Sequence, residues 1–345
     1  MRAVVIERPH EAAYREVETP VCGPEDVLVC SREAGVCRTD VDVLAGELDR
    51  RWVRYPCVPG HEWAGSVAEV GGNVDDPAPG DLVVCEGMIP CRRCARCRAG
   101  DTNLCENYDQ LGFTRPGGYA EYVLVPRHVV HRLPEGVSLD AAVLVEPASV
   151  VLAGLERALP APGETIGVIG IGTLGSLAVV LARLFAPAAV IAYGVREEEL
   201  ELARRLGADH AVSAGGDAEA ETRRLLGGGL DLVVETAGAA DAVELATRLL
   251  REGGRAVLLG IAGEGRMLEL PADRIALRGL GLIGSVGYTT AVWSRVVDLL
   301  ARGLVRFDGI VTHRFPASDF EAAFELMENR RGIVGKIVLE HGEGT

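Results

Sequence analysis

The chain has 345 residues, of which 48% are hydrophobic, and carries a formal charge of −15. This length is sufficient for a large core and is typical of two domains. The negative charge argues against nucleic acid or an anionic membrane surface as the main partner. No apolar run approaches the roughly 20 residues of a membrane-spanning helix, and the N-terminus does not resemble a secretory signal. We therefore expect a cytoplasmic protein. In that reducing compartment cysteines bind metal more often than they form disulfides, so we expect metal sites among the nine cysteines.

The N-terminal part of the sequence predicts short β-strands. Residues 1–36 alternate apolar and polar side chains, and further strand-like runs occupy 65–70, 81–85 and 119–125. A turn that begins near Ala34 leads into a short helix. These patterns indicate a mostly β domain.

From about residue 150 the pattern changes to short strands that alternate with helices. The strand-like runs are Ile166–Ile169, Ala189–Tyr193, Leu230–Val234 and Ala256–Leu259, with helical stretches such as Glu197–Leu206 and Ala240–Leu250 between them. This alternation predicts an α/β fold: a Rossmann-type, doubly wound parallel sheet with right-handed crossovers. We expect this domain to span 152–289. The mostly β domain then comprises 1–151 and 290–345, to which the last strand returns.

A glycine-rich turn follows the first strand of the predicted parallel sheet. Gly170, Gly172 and Gly175 have the G-x-G-x-x-G spacing, and an apolar helix begins near Thr173 and Leu174. Such glycines permit a tight turn, close approach to a pyrophosphate and close packing of helix on strand. The helix N-terminus offers unpaired N–H groups to an anion. The strand before and the helix after the turn supply the context of a dinucleotide site.

Four cysteines form a compact group with C-x2-C-x2-C-x7-C spacing. They are Cys91, Cys94, Cys97 and Cys105. Four thiolates from one short loop can surround a tetrahedral zinc and leave no coordination position open, which is typical of a structural site. An iron–sulfur cluster is the less favoured alternative. Four unrelated buried thiols are less favoured still, because arginines make the segment polar.

Cys37, His61 and Glu62 are individually ordinary residues, but their context is specific. With the four-cysteine group and the glycine turn, they resemble the zinc-containing medium-chain alcohol and polyol dehydrogenase family over essentially the whole chain. The matching segments are Gly35–Asp40, Pro59–Glu62, the four-cysteine group, the 170–175 turn, Val145–Pro147 and Val311–Phe315. The resemblance is to the branch of sorbitol, threonine and 2-deoxy-scyllo-inosamine dehydrogenases, and it implies that the β domain is GroES-like.

The resemblance implies two Zn²⁺ ions per chain, one structural and one catalytic. Cys37 and His61 would be ligands of the catalytic zinc. Glu146 stands where alcohol dehydrogenases have a second cysteine, and Glu62 would bind the metal directly or in exchange with water. A carboxylate-rich site makes zinc a stronger Lewis acid than two thiolates do.

Two further residues would handle the substrate proton. Thr39 matches the hydroxyl that receives it in the family. Asp42 stands where many relatives have histidine, and it could finish the proton relay, contact a polyol, or simply be a solvated helix acid. The zinc would favour the alkoxide of a secondary alcohol, whose carbon exchanges hydride with the nicotinamide.

The cofactor choice depends on the end of the second parallel strand. An acid expected there to bind the adenosine ribose is replaced by Gly194, and Arg196 follows. Gly194 leaves room for a 2′-phosphate that Arg196 can pair with. We therefore favour NADP, with NAD possible and Arg196 as an ordinary surface residue the alternative.

The predicted activity is oxidation of a secondary alcohol of a polyol, cyclitol or aminocyclitol, with 2-deoxy-scyllo-inosamine a candidate, or the reverse reduction. The alternatives are an L-threonine 3-dehydrogenase-like enzyme and a non-catalytic nucleotide- and zinc-binding protein. A zinc-ribbon protein that binds nucleic acid is disfavoured by the charge. Relatives in the family are homodimers or homotetramers.

Overall fold

The computed structural model describes residues 1–263 and 265–342. Over these two ranges the chain forms seventeen β-strands and eleven α-helices. The strands are β1 (Arg2–Arg8), β2 (Glu11–Glu16), β3 (Asp26–Val36), β4 (Glu62–Val70), β5 (Leu82–Cys85), β6 (Met88–Ile89), β7 (Asp109–Gln110), β8 (Tyr122–Pro126), β9 (Val130–Arg132), β10 (Thr165–Ile169), β11 (Ala189–Gly194), β12 (His210–Ser213), β13 (Leu230–Glu235), β14 (Leu250–Leu258), β15 (Gly281–Gly284), β16 (Val311–Pro316) and β17 (Lys336–Glu340).

The helices alternate with strands in the second half of the chain, as βαβ units require. They are α1 (Arg38–Ala45), α2 (Ala95–Ala99), α3 (Leu139–Val143), α4 (Val145–Ala158), α5 (Thr173–Ala182), α6 (Glu197–Arg205), α7 (Ala218–Leu226), α8 (Ala240–Leu249), α9 (Ala272–Arg278), α10 (Thr290–Ala301) and α11 (Phe320–Asn329). Within the described ranges, no helix is both long and apolar enough to cross a membrane.

The chain divides into two compact units. The first comprises Met1–Glu146, Thr289–Arg331 and Lys336–Thr345, of which 343–345 lie outside the described residues. The second comprises Pro147–Tyr288 and Gly332–Gly335. The first boundary, between Glu146 and Pro147, falls within helix α4, so one continuous helix carries the chain from the first unit into the second.

The first unit is built around a sheet with strand order β16-β17-β3-β4-β5-β9, and β8 also pairs with β3. Its pairs are antiparallel except β16 with β17. In this register Gly35 of β3 lies between Glu62 on β4 and Val338 on β17. The last strand, β17, thus lies beside β3, which ends next to Cys37 at the start of α1.

The second unit contains a parallel sheet with strand order β12-β11-β10-β13-β14-β15. Its central strands are buried on both faces, and Ile166, Val168 and Val190 are fully inaccessible. This burial explains why the strands read as continuous apolar runs instead of alternating patterns. The strand order reverses direction at β10, the position at which doubly wound sheets bind ligands. The predicted α/β fold is confirmed: one unit is mostly β, and the other contains a doubly wound parallel sheet.

Candidate metal and cofactor sites

Cys37, His61 and Glu62 come together in the first unit. Cys37 is the N-cap of α1, His61 ends the turn before β4, and Glu62 is the first residue of β4. One ligand atom from each lies within 4.8 Å of the others, and His61 and Glu62 are buried. A thiolate, an imidazole and a carboxylate are the donor set that zinc takes in proteins. The chemistry of these three side chains therefore fits a zinc ion.

A buried carboxylate, Asp40, holds this group in place. It accepts hydrogen bonds from the backbone N–H of Cys37 at 2.9 Å, that of Gly60 at 3.3 Å and the hydroxyl of Tyr119 at 2.9 Å. Its Oδ1 lies 3.5 Å from Nδ1 of His61. Burial alone would raise the pKa of Asp40, but His61, the backbone N–H of Cys37 and the hydroxyl of Tyr119 lower it below its ordinary value. A carboxylate behind a ligating histidine fixes the ring orientation and raises its basicity.

Lys336 lies next to Glu62 and is almost completely inaccessible. Its ammonium contacts the Glu62 carboxylate and donates to the carbonyl of Val36 at 3.1 Å. A Cβ at Gly35 would meet both Glu62 and Lys336, so a residue without a side chain is needed there. Burial opposes the charged form of Lys336, but Glu62 and Cys37 raise its pKa above the ordinary value. A buried charge of this kind persists only when it is paired.

Three of these residues are not predicted from the sequence as parts of the site: Asp40, Tyr119 and Lys336. A signal existed for two of them. Asp40 stands three residues after Cys37, the spacing at which an acid completes an N-terminal capping box. Lys336 is the single lysine among 35 basic residues, which indicates a position where arginine is not equivalent.

Glu146 belongs to the same buried region, at the start of α4. Burial raises its pKa to about 7, with His61 opposing the shift and Glu62 adding to it. The structure therefore brings Glu146 within electrostatic range of the group, while the convergent ligand atoms are those of Cys37, His61 and Glu62.

Thr39 and Asp42 differ in where the structure places them. The hydroxyl of Thr39 lies 3.5 Å from the sulfur of Cys37, so it borders the metal group. Asp42 accepts from Nε of Arg38 at 2.7 Å, one turn earlier on α1. Of the three roles that the sequence allows for Asp42, this contact fits that of a solvated helix acid.

The second metal group consists of the four predicted cysteines. The sulfurs of Cys91, Cys94, Cys97 and Cys105 all lie within 4.8 Å of one another. Backbone N–H groups point at them: Cys91 donates to Cys105 at 3.2 Å, and Cys94 donates to Cys91 at 3.4 Å. The N–H groups of Arg93 and Cys94 lower the pKa of the Cys91 thiol to about 6, whereas burial and the neighbouring thiols raise the pKa of the Cys97 thiol to about 12. Four converging sulfurs with a stabilised thiolate fit a tetrahedral zinc. All nine cysteines of the chain lie in the described ranges and are free thiols.

In the second unit, the glycine turn joins the end of β10 to α5. Gly170 adopts a φ of +87°, which favours glycine. Its N–H donates to the carbonyl of Tyr193 at 2.9 Å, so the turn adjoins the end of β11. A Cβ at Gly175 would lie 1.8 Å from the carbonyl oxygen of Gly170. The helix can approach the turn this closely because residue 175 has no side chain.

Gly172 is the N-cap of α5, and Thr173 and Leu174 are its first two residues. The hydroxyl of Thr173 donates to the carbonyl of Gly335 at 3.2 Å, also in the second unit. N–H groups at this helix end carry partial positive charge and suit a pyrophosphate. The turn therefore fits the dinucleotide that its spacing predicts.

Gly194 and Arg196 lie at the end of β11 and at the N-cap of α6. Arg196 is paired with Glu199, with its Nη2 lying 3.0 Å from Oε1 of the Glu199 carboxylate. Glu199 is not among the residues that the sequence predicts for the cofactor site. The structure instead places its carboxylate next to both residues on which the cofactor prediction depends.

Two family models match the chain. Residues 23–135 match the alcohol dehydrogenase GroES-like domain, and residues 173–302 match the zinc-binding dehydrogenase domain. The chain is 34% identical to an L-threonine 3-dehydrogenase of Chelativorans sp. (strain BNC1), over 99% of this chain and 98% of the relative.

Solved structures of dehydrogenases are also similar to this chain. A zinc-binding dehydrogenase from Sinorhizobium meliloti 1021, bound to NADP, is 33% identical with a TM-score of 0.90, and 98% of each chain is covered. Galactitol-1-phosphate dehydrogenase from Escherichia coli is 28% identical with a TM-score of 0.89, over 99% of this chain and 100% of that one. With the donor sets and the glycine turn described above, these matches show that the chain belongs to the zinc-containing medium-chain alcohol dehydrogenase family and is an oxidoreductase.

Proposed function

We propose that the chain is a zinc-dependent NAD(P) dehydrogenase of a secondary alcohol on a polyol, cyclitol or aminocyclitol, with 2-deoxy-scyllo-inosamine as the candidate substrate. The observation that carries the proposal is the convergence of Cys37, His61 and Glu62 within 4.8 Å. When bound, zinc lowers the pKa of an alcohol and the nicotinamide exchanges hydride with its carbon.

The residues of the chain have separate roles in this proposal. Cys37 and His61 bind the metal, and Asp40 orients the imidazole. Thr39, 3.5 Å from the Cys37 sulfur, receives the proton of the alcohol and passes it outward. Glu62 is held by Lys336 and is available to the metal, directly or in exchange with water. Glu146 adds a second carboxylate, and Asp42 stays a candidate for the relay or for a polyol contact.

A hydroxylated substrate is supported by the number of carboxylates around the candidate site. Glu62 and Glu146 are both buried near Cys37 and His61. A carboxylate oxygen that does not bind the metal or Lys336 can accept a hydrogen bond from an additional hydroxyl of a polyol or from an ammonium group. A polyol phosphate dehydrogenase is among the structural relatives.

L-Threonine is the second candidate, because curated relatives that align over nearly the whole chain are L-threonine 3-dehydrogenases. Threonine also carries a secondary alcohol, and its ammonium would suit the same carboxylates. The two candidates therefore share the chemistry of the site and differ in the groups around the alcohol.

For the cofactor we favour NADP, with NAD possible. Arg196 beside Gly194 supports the phosphorylated form, and a structural relative is bound to NADP. We also propose two zinc ions per chain, a homodimer or homotetramer, and a cytoplasmic location.

An oxidation screen tests the proposal. The purified protein is given polyols, cyclitols, 2-deoxy-scyllo-inosamine, amino sugars and L-threonine, each with NAD and with NADP, while reduced nicotinamide is followed. Turnover of a cyclitol or aminocyclitol above threonine supports the proposal. Turnover of threonine alone would establish the second candidate, and turnover of no compound would refute both.

A further inference from the structure

A carboxylate from α6 occupies the space beside Gly194. A Cβ placed on Gly194 would lie 3.1 Å from Cβ and 3.1 Å from Oε2 of Glu199, and 3.1 Å from Leu200. Oε2 of Glu199 accepts the backbone N–H of Val195 at 3.1 Å. An acid at position 194 would therefore compete with Glu199 for the same room. The carboxylate missing from the strand end is supplied from the first turn of the following helix.

This carboxylate lies where a dinucleotide in the second unit would place its adenosine ribose. Tyr193, the residue before Gly194, accepts the N–H of Gly170 in the glycine turn at 2.9 Å. In this fold the end of the second strand contacts the ribose hydroxyls. Oε2 accepts one N–H, and a carboxylate oxygen can accept a second hydrogen bond. A ribose hydroxyl can be that second donor.

Glu199 also binds Arg196, the residue that favours a 2′-phosphate. Oε1 of Glu199 accepts from Nε of Arg196 at 3.1 Å and from its Nη2 at 3.0 Å, and the side chain of Glu199 is 11% exposed. A negative charge so close to the guanidinium reduces its attraction for a phosphate and repels the phosphate itself. The two side chains therefore favour opposite forms of the cofactor.

We infer that Glu199 is the residue that balances NAD against NADP, by accepting a ribose hydroxyl in place of a strand-end acid and by restraining Arg196. The inference rests on the proposed function, because it requires a dinucleotide at the glycine turn. Glu199 then recognises NAD and Arg196 recognises NADP, so a protein with both side chains accepts both cofactors.

Calorimetric binding of ADP-ribose and 2′-phospho-ADP-ribose tests the inference without any turnover. The variant Glu199→Gln keeps the shape of the side chain and removes its charge. Glu198→Gln is the matched control, since Glu198 is the preceding residue on α6 and is exposed. Arg196→Gln is the complementary variant.

We expect Glu199→Gln to raise the preference for 2′-phospho-ADP-ribose over ADP-ribose by about tenfold, the scale of one hydrogen bond to a charged group. Arg196→Gln should lower the same preference by about tenfold, and Glu198→Gln should change it less than twofold. If Glu199→Gln leaves the ratio of the two affinities unchanged while both analogues bind, the inference is wrong and the proposed function stands. If the unaltered protein binds neither analogue, the dinucleotide proposal itself fails.

Discussion

The ammonium of Lys336 contacts the carboxylate of Glu62, although 274 residues separate them in the sequence, and both side chains are at most 3% exposed. The pair exists because β17 and β4 flank the same strand, β3, whose Gly35 leaves room for it. Glu62 therefore has a fixed partner at the edge of the metal group. The ion pair therefore keeps the Glu62 carboxylate near Cys37 and His61.

Replacing Lys336 with methionine should destabilise the protein by about 3–5 kcal/mol, because it leaves a buried carboxylate without its cation. Glu62→Gln should also destabilise the protein, because it leaves the buried Lys336 ammonium without its carboxylate. The free energy of unfolding lost by the double variant should be smaller than the sum of the losses of the two single variants. Denaturant unfolding of the four proteins measures the coupling. Additive losses would contradict a direct interaction between the two charges.

Asp40→Asn should lower zinc affinity by about 10–100-fold, because the carboxylate that orients His61 loses its charge. Tyr119→Phe is the comparison, since it removes one hydrogen bond to Asp40 and leaves the charge in place. We expect its effect on zinc affinity to be several-fold smaller. Competition with a chelator measures both. Equal affinity in Asp40→Asn and the unaltered protein would show that Asp40 does not support the metal.

Much of the fold is visible in the sequence because its signals are local. The buried parallel strands read as apolar runs, and the turn of Gly170 and Gly175 has a fixed spacing. The residues around the Cys37, His61 and Glu62 group are not predicted in this way. Asp40, Tyr119 and Lys336 are far apart in the sequence and come together only when the sheet forms. Glu199 was also missed as part of the cofactor site, since the sequence shows a helix acid but not that its side chain turns back to Gly194.

Removal of one ligand should empty the four-cysteine group selectively. Cys94→Ser leaves three sulfurs, so the protein should retain one zinc per chain instead of two. The segment 91–105 should then become more sensitive to proteolysis, because it contains few buried side chains. Metal analysis and limited proteolysis are the measurements. Iron and labile sulfide in the purified protein would instead establish an iron–sulfur cluster.

Asp231 provides a test of pH-dependent stability in the second unit. It accepts from the N–H and hydroxyl of Thr165 at 2.7 and 2.8 Å and from Nε of Arg251 at 2.6 Å. Burial alone would raise the pKa of Asp231, but these donors lower it below the ordinary value. A lowered pKa in the folded state contributes stability above the unfolded pKa of about 4, and this contribution is lost as the pH falls through the folded value.

Asp231→Asn should therefore lower the stability by about 2 kcal/mol at neutral pH. The difference in melting temperature from the unaltered protein should shrink as the pH falls from about 5 to about 3, where the native carboxyl also becomes protonated. Calorimetric scans of both proteins across this range provide the comparison. A difference that stays constant with pH would show that the charge of Asp231 contributes nothing.

We propose that Cys37 holds a catalytic zinc distinct from the zinc of the four-cysteine group. Metal content and alcohol oxidation, measured together on one preparation of Cys37→Ser, test this assignment. We predict one zinc per chain instead of two, no detectable turnover, and an unchanged circular dichroism spectrum. A Cys37→Ser protein that keeps two zinc ions and its activity would show that Cys37 is not a ligand of a catalytic zinc.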